Sequence, residues 1–279
     1  MTVPLTVPPP TGAHDERHAS QSGDMRGQRK AAVFCLLVHG LNGEPDDLAP
    51  VERALRAEGF ATRSFWLPGH GTTPRDLRQS GWQDWYAKVR AEALAALHAG
   101  NDVALIGHSM GGSVCLALAA ELAGRDGLRG VAALCPPMRM YGWMEKLLAA
   151  ARRVVPYVPA LGEDIRSRQA RRGVRRRVQR WNAPAPMHSL LAALPEVRAA
   201  LPRVRCPVLV VAARHDHVVP ARDGLEAYER TGADHKELLL LERSYHAVAH
   251  DEEQREVCAQ VVRFCRRIAP ESPCVQSAP

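Results

Sequence analysis

The segment Gly107-His108-Ser109-Met110-Gly111-Gly112 constrains the fold of this chain more than any other feature of the sequence. It follows the apolar run Asp102–Ile106 and opens a stretch rich in alanine and leucine. Glycines remove the Cβ clashes of a sharp turn from a strand into a helix, and such a turn lifts a serine hydroxyl above a sheet. The alternative is a glycine-rich turn whose serine only caps the helix. The rest of the chain separates these two interpretations.

Short apolar runs alternate with helical patterns on both sides of this segment. The predicted strands are Val33–Val38, Thr62–Leu67, Val103–Gly107, Gly130–Leu134, Pro207–Ala212 and Glu237–Leu241. The predicted helices between them are Asp46–Glu58, Trp82–His98, Ser109–Leu122, Ala221–Arg230 and Glu252–Arg267. Several strands are apolar on both faces, as in a parallel sheet that helices cover on both sides. The pattern therefore predicts an α/β fold with a mostly parallel, doubly wound sheet.

The alternation is interrupted once, between Leu134 and Pro207. Helical patterns over Gly142–Val155, Asp164–Trp181 and Ser189–Leu194 fill this interval. We interpret the interval as a helical lid inserted after one strand rather than as a second domain. The predicted organisation is a tail at 1–30, a core at 31–135 and 203–269, a lid at 136–202 and a C-terminal tail at 270–279.

The composition excludes several classes of protein. With 46% hydrophobic and 24% charged residues the chain is globular, and its longest apolar runs fall far below the roughly 18 residues of a membrane span. The first thirty residues are rich in proline and contain no apolar segment typical of a secretory signal. The seven cysteines are odd in number and include no C-x-x-C pair. This pattern favours reduced thiols and a cytoplasmic location.

The charge of the chain is concentrated in one segment. The net charge is +7. The segment from Arg152 to Arg180 contains ten arginines and only two acidic residues, Glu163 and Asp164. Such a segment could attract anionic substrates, lipid head groups or nucleic acid, but a solvated helix face is the simpler interpretation. No nucleic-acid-binding signature accompanies it. We therefore predict a small-molecule partner, no nucleic acid and no stable membrane insertion, and the oligomeric state stays open.

Two further residues support a catalytic interpretation of Ser109. Asp216 follows the predicted strand that ends at Ala212, and His246 follows the strand that ends at Leu241. A serine hydroxyl needs a base, and the base needs an acid to hold its tautomer. The order Ser109, Asp216, His246 is that of an α/β-hydrolase. Asp223 is a weaker candidate for the acid and His250 for the base, because Asp223 falls inside a predicted helix and Asp251 beside His250 resembles a helix cap.

An oxyanion hole requires two backbone N–H donors beside the nucleophile. Met110 N–H, at the start of the helix after Ser109, is one candidate. The other is Leu41 N–H in the loop that follows the first strand. We expect His39 to orient that loop.

Other residues give weaker indications of a metal site or of a substrate-binding surface. His215 and His217 lie two residues apart, but no zinc-ligand spacing follows them, so no metal and no cofactor is predicted. Met138 and Trp143 could line an acyl-binding wall at the lid entrance. They could equally pack the underside of the lid onto the core.

Several motifs together resemble the α/β-hydrolase superfamily, and within it the small bacterial carboxylesterases related to monoacylglycerol lipases. They are His39-Gly40-Leu41-Asn42-Gly43, Pro68-Gly69-His70-Gly71, Gly107–Gly112, Ala213-Arg214-His215-Asp216 and Ser244–Asp251. The resemblance covers about Val33 to Ile268 and implies hydrolysis of carboxylic esters through an acyl-enzyme on the Ser109, Asp216 and His246 triad. The chain departs from the family in lacking the usual strand pair before the first strand, and in its Arg-rich lid.

The predicted function is therefore that of a serine carboxylesterase acting on short- to medium-chain esters, monoacylglycerols included. A thioesterase, a lactonase, a C–C bond hydrolase or a perhydrolase would use the same triad. A non-catalytic ligand-binding protein of the same fold is a further alternative.

Overall fold

The computed structural model describes residues 33–139, 142–159, 164–173 and 181–270. Its strands are β1 (Phe34–Val38), β2 (Thr62–Ser64), β3 (Val103–His108), β4 (Leu128–Leu134), β5 (Val158–Pro159), β6 (Trp181–Asn182), β7 (Val208–Ala213) and β8 (Lys236–Leu241). Its helices are α1 (Ala49–Ala57), α2 (Pro74–Gln79), α3 (Trp82–His98), α4 (Met110–Glu121), α5 (Gly142–Val154), α6 (Arg168–Gly173), α7 (Pro184–Ala200), α8 (Ala221–Arg230) and α9 (Gln254–Ile268).

One parallel sheet organises the described residues, with strand order β2-β1-β3-β4-β7-β8. Side chains alternate between its two faces, as the pleat of a strand requires. On β1, Leu36 and Val38 pack into one buried cluster, while Cys35 and Leu37 pack into the other. The first cluster lies against α3, α4 and α7, and the second lies against α1 and α9. The prediction of a doubly wound sheet is confirmed.

The elements between β4 and β7 include α5, β5, α6, β6 and α7, and α7 packs on helices that flank the sheet. Helix α7 contacts α5 as well as α2, α3 and α4 of the core. Two predictions for this region are wrong. Trp181 belongs to the short strand β6 rather than to a helix from Asp164, and residues 174–180 of that predicted helix lie outside the described residues. The last helix runs over Pro184–Ala200 instead of Ser189–Leu194, because Pro184 occupies its first turn, where an N–H has no partner in the helix.

In the core, β2 ends at Ser64 rather than at Leu67, and two further differences concern helices. The predicted helix from Asp46 begins as a 3₁₀ turn, Pro45–Leu48, before α1. Helix α2 was not predicted from the sequence. Its signal was Thr73-Pro74-Arg75-Asp76, in which the Thr73 hydroxyl accepts a bond from Asp76 N–H and the Asp76 carboxylate accepts one from Thr73 N–H. Both differences leave the sheet and its strand order unchanged.

Candidate active site

The three predicted triad residues follow strands whose carboxyl ends lie at one edge of the sheet. Ser109 follows β3, Asp216 lies three residues after β7, and His246 lies five residues after β8. Because all three strands are parallel, the loops that leave their carboxyl ends share that edge. The topology therefore brings residues from distant parts of the chain to one place.

The turn at Ser109 has the backbone of a strained elbow. Ser109 adopts φ 53° and ψ −124°, a positive φ that is uncommon for a residue with a Cβ. Glycines on either side allow the close approach of α4 to the sheet. A Cβ on Gly107 would lie 2.3 Å from the carbonyl carbon of Gly111, and one on Gly111 would lie 2.2 Å from Val38 O. The sequence needs glycine at both positions for the elbow to form.

We expect Gly111→Ala to lower the free energy of unfolding by about 3 kcal/mol. The added methyl would meet backbone oxygens of Val38 and His39, which cannot move without displacing the loop after β1. Urea unfolding followed by circular dichroism measures the change. Gly124→Ala is the control, because Gly124 has a φ of 77° but open space around its Cβ position. A cost for Gly111→Ala no larger than that of Gly124→Ala would contradict the prediction.

His246 and Asp216 form a buried pair. The Nδ1 atom of His246 lies 2.7 Å from Asp216 Oδ2, and the two side chains are 12% and 1% exposed. The second carboxylate oxygen, Oδ1, accepts bonds from the N–H groups of Val218 and Val219 at 2.8 and 2.7 Å. Burial alone would raise the pKa of Asp216, but the His246 imidazole and these two N–H groups hold it below its ordinary value. The carboxylate is therefore ionised at neutral pH and accepts the Nδ1 proton.

Ser109 and His246 line one cavity that opens to solvent, together with Gly40, Leu41, Ile165 and Ala247. Among the described hydrogen bonds there is none between Ser109 Oγ and the His246 ring. Catalytic hydrogen bonds of this kind are often long before substrate binds. The arrangement places the hydroxyl and the imidazole at the same cavity wall.

The loop after β1 passes close to Ser109. A Cβ on Gly40 would lie 3.1 Å from the Cβ of Ser109. His39 holds this loop, since its Nε2 accepts the Leu67 N–H at 3.1 Å and its Nδ1 lies 2.9 Å from Gly40 O. The ring therefore carries its proton on Nδ1. Neither Leu41 N–H nor Met110 N–H has a hydrogen-bond partner within the part of the chain that the structure describes.

His108 is a neighbour of the site that the sequence did not single out for a role. Its Nε2 lies 3.0 Å from the backbone oxygen of His246, and the two rings lie 4.9 Å apart. Burial, and to a smaller extent the nearby His246, lower the pKa of His108 to about 3. The ring is therefore neutral and donates its Nε2–H to the His246 carbonyl.

The structure separates the rival candidates from the triad. Asp223 is buried at the start of α8, where its Oδ2 accepts bonds from the N–H groups of Met138 and Arg139 at 2.8 and 3.0 Å. Asp223 therefore fixes the backbone at Met138 and Arg139, after β4, and does not orient His246. His250 borders the same cavity, and its Nε2 lies 3.1 Å from Asp46 O. Asp216, and not Asp223, contacts an imidazole nitrogen of His246, whereas the Nε2 of His250 faces a backbone oxygen.

The structure describes the side chain of Met138 but not that of Trp143. The Met138 side chain is fully buried in the core cluster that α4 and α7 share, and it is not among the residues that line the cavity. The side chain of Trp143 lies outside the described residues.

Two acidic residues after β8 play roles that the sequence did not reveal. Asp251 was interpreted as the cap of the last helix, which is wrong, because α9 begins at Gln254 and the Asp251 carboxylate accepts N–H bonds from Arg166, Ser167, Tyr245 and Glu252. The Glu253 carboxylate accepts bonds from Ser244 Oγ and from Arg243 N–H. Burial would raise the pKa of Glu253, but these bonds hold it below its ordinary value. Both carboxylates shape the loop that carries His246.

One group of ligand-type atoms lies within the described residues. Cys135 Sγ, an Asp216 oxygen and a His246 nitrogen lie within 4.8 Å of one another. Burial and the adjacent Asp216 carboxylate raise the pKa of Cys135 well above its ordinary value, so this thiol is protonated. A metal ligand would be the thiolate. The donor set is therefore better suited to hydrogen bonding than to ligation.

Comparison with known proteins assigns the family. A family model described as serine aminopeptidase, S33, matches residues 28–253, a span that contains Ser109, Asp216 and His246. The chain belongs to the S33 family. This S33 chain is 26% identical over 233 residues to the thermostable monoacylglycerol lipase of Bacillus sp. (strain H-257). The matched region covers 83% of this chain and 90% of the lipase. It is 25% identical over 240 residues to the carboxylesterase of Bacillus subtilis (strain 168), with 84% and 92% covered.

Solved structures agree with this assignment. A structure reported with the metagenome-derived lipolytic enzymes LipS and LipT superposes on this S33 protein with a TM-score of 0.77 and 28% identity, covering 85% of this chain and 94% of the other. A soluble variant of the Saccharomyces cerevisiae monoglyceride lipase gives a TM-score of 0.74 at 14% identity, covering 88% and 89%, which supports the fold alone. The predicted α/β-hydrolase fold is confirmed.

The comparisons also establish the chemical class. This S33 protein is a carboxylic ester hydrolase of the serine α/β-hydrolase type. None of the helices within the described residues combines the length and the apolar character that crossing a bilayer requires.

Proposed function

We propose that Ser109, His246 and Asp216 are the nucleophile, the general base and the orienting acid of this ester hydrolase. The observation that carries the proposal is the 2.7 Å contact between His246 Nδ1 and Asp216 Oδ2, at a cavity wall that Ser109 shares. With Nδ1–H donated to Asp216, the Nε2 atom of His246 is free of a proton and can accept one from Ser109 Oγ.

The reaction proceeds in two stages. Ser109 Oγ attacks the ester carbonyl carbon while His246 takes its proton, and the oxyanion that forms accepts bonds from Leu41 N–H and Met110 N–H. The tetrahedral intermediate collapses, the alcohol leaves with the proton from His246, and an acyl-enzyme remains on Ser109. Water, deprotonated by His246, then attacks the acyl-enzyme carbonyl, and the acid leaves as His246 returns the proton to Ser109 Oγ. The N-terminus of α4 adds a partial positive charge beside the oxyanion.

The cavity supports small uncharged esters as substrates. Leu41, Ile165, Ala247 and Ala249 supply an apolar lining, as is common in small-molecule sites. We propose acyl chains of short to medium length, in agreement with the monoacylglycerol lipase and carboxylesterase names of the two relatives.

We also propose a domain organisation and a cellular location for the protein. We propose a core at 31–135 and 203–269, a lid at 136–202 that covers the cavity, and tails at 1–30 and 270–279. The side chain of Ile165, which belongs to the lid in this division, lines the cavity and supports that role. The free thiols of Cys35, Cys115, Cys135 and Cys265 support a cytoplasmic location.

Active-site labelling tests the proposal directly. We expect a fluorophosphonate probe to form one adduct on the peptide that contains Ser109, identified by mass spectrometry, and prior labelling to abolish turnover. A panel of p-nitrophenyl esters from acetate to palmitate, with 1-monobutyrin and 1-monoolein, defines the chain length, and we expect activity to fall beyond medium chains. Absence of an adduct on Ser109 would support the non-catalytic ligand-binding alternative. Faster turnover of acyl thioesters than of matched oxygen esters would identify a thioesterase instead.

A further inference from the structure

A short segment of the insertion, Asp164–Ser167, lies directly against the loop that carries His246. The Asp164 side chain is 17% exposed, and its Oδ2 accepts the backbone N–H of His246 at 3.2 Å and that of His217 at 3.1 Å. Its backbone oxygen accepts the N–H of Ala247 at 3.1 Å. One residue of the insertion therefore holds two consecutive peptide groups of the histidine loop.

The segment is also fixed at its other end. The N–H groups of Arg166 and Ser167 donate to the two Asp251 carboxylate oxygens at 2.8 and 2.9 Å, and the same Oδ2 accepts the N–H of Tyr245. The Arg171 guanidinium donates twice to Ile165 O, at 3.0 and 2.6 Å. These bonds fix the backbone of the segment, so Asp164 reaches the histidine loop from a defined position.

His246 is consequently held at three points. Asp164 accepts its backbone N–H, His108 donates to its backbone oxygen, and Asp216 accepts its Nδ1–H. The contact with Asp216 sets the tautomer and the plane of the ring, whereas the two backbone contacts set the point from which the side chain extends. A misplacement of about 1 Å in a catalytic group can cost roughly 100-fold in rate. Loss of one backbone contact therefore affects the distance between His246 Nε2 and Ser109 Oγ.

We propose that Asp164 is a positioning residue for His246, through which the insertion controls the placement of the general base. The proposal rests on the proposed function, because it assumes that His246 acts as the base. Asp164 is absent from the residues that line the cavity, so it acts through His246 rather than on the substrate. A carboxylate suits the role because its two oxygens together accept from His246 N–H and from both the N–H and the ring of His217.

The test compares Asp164→Ala with Asp164→Asn on a short-chain p-nitrophenyl ester. The alanine variant removes the acceptor, so we expect kcat to fall about 10- to 100-fold while KM changes by less than about threefold. The asparagine variant keeps an oxygen acceptor of the same length, so we expect its kcat to lie within about threefold of the wild-type value. This separation of kcat from KM, with rescue by the isosteric variant, is not expected of a residue that only stabilises the fold.

Two controls accompany the variants. Asp102→Ala removes a partly buried carboxylate that pairs with Arg129 at 2.7 Å just before β3, far from the cavity edge, and we expect its kcat to be unchanged. Near-ultraviolet circular dichroism and thermal unfolding verify that each variant folds. If Asp164→Ala does not fold, Asp164→Ser provides the same comparison, since the serine side chain is too short to reach the histidine loop.

The outcomes separate this inference from the proposed function. A kcat for Asp164→Ala within about twofold of wild type would overturn the inference, as would a change in KM alone. An equal loss of kcat in Asp164→Ala and Asp164→Asn would also overturn it, because the charge and not the acceptor would then matter. Ser109→Ala is measured in parallel. Activity retained in Ser109→Ala refutes the proposed function itself, whereas an inactive Ser109→Ala with a fully active Asp164→Ala refutes only the positioning role.

Discussion

Replacing Ser109 with alanine is expected to lower kcat/KM for a p-nitrophenyl ester by about 10⁴-fold or more. The substitution removes the only atom that attacks the carbonyl in the proposed mechanism, while the cavity and the two N–H donors remain. A small residual rate above the uncatalysed reaction is therefore expected, because binding and oxyanion stabilisation do not depend on the hydroxyl. Initial rates with rigorously purified protein measure the effect.

The control for this prediction is Ser80→Ala. The Ser80 hydroxyl donates to Leu77 O at 2.9 Å at the end of α2, and Ser80 is not among the residues that line the cavity. We expect its kcat/KM to equal that of the wild type. Turnover by Ser109→Ala at more than a tenth of the wild-type rate would refute nucleophilic catalysis by Ser109.

Asp216→Asn is expected to lower kcat by about 10³- to 10⁴-fold with little change in the structure of the site. Asp216 Oδ1 accepts the N–H groups of Val218 and Val219, so the asparagine oxygen must occupy that position. The amide nitrogen then faces His246 Nδ1 and donates to it, which forces the imidazole proton onto Nε2. In that tautomer His246 cannot accept the Ser109 proton. Steady-state kinetics and thermal unfolding together distinguish this effect from a loss of fold.

Asp223→Asn is the matched control, because Asp223 was the other candidate for the acid. Its Oδ2 accepts two backbone N–H bonds that an asparagine oxygen can retain. We expect kcat of Asp223→Asn to lie within about fivefold of wild type. A loss as large as that of Asp216→Asn would show that the role of the acid is assigned to the wrong residue.

The sheet and the elbow could be predicted because their signals are local. Apolar runs on both faces indicate a buried parallel strand, and the glycines around Ser109 indicate a close turn. The strand-end positions of Asp216 and His246 follow from the same runs. Boundaries were less accurate where turn chemistry competes with periodicity, as at the 3₁₀ turn before α1.

The contacts of the insertion could not be predicted because they join residues far apart in the chain. Asp251 has the sequence context of a helix cap, yet its carboxylate binds Arg166 and Ser167, about eighty residues earlier. Asp164 lies in an Arg-rich stretch whose pattern favours a solvated helix face. A carboxylate that binds distant backbone N–H groups leaves no periodic pattern, so only coordinates reveal it.

The hydrogen bonds that the Asp251 carboxylate accepts from Arg166 and Ser167 have a consequence for protein engineering. Chimaeras that exchange the segment between β4 and β7 of this enzyme for that of a relative would ordinarily be joined at the ends of these two strands. Such a junction discards Asp164–Ser167 together with the helices of the segment, although these residues hydrogen-bond to the loop after β8. Grafts that retain these four residues from the host should preserve turnover while the incoming helices alter which acyl groups are accepted.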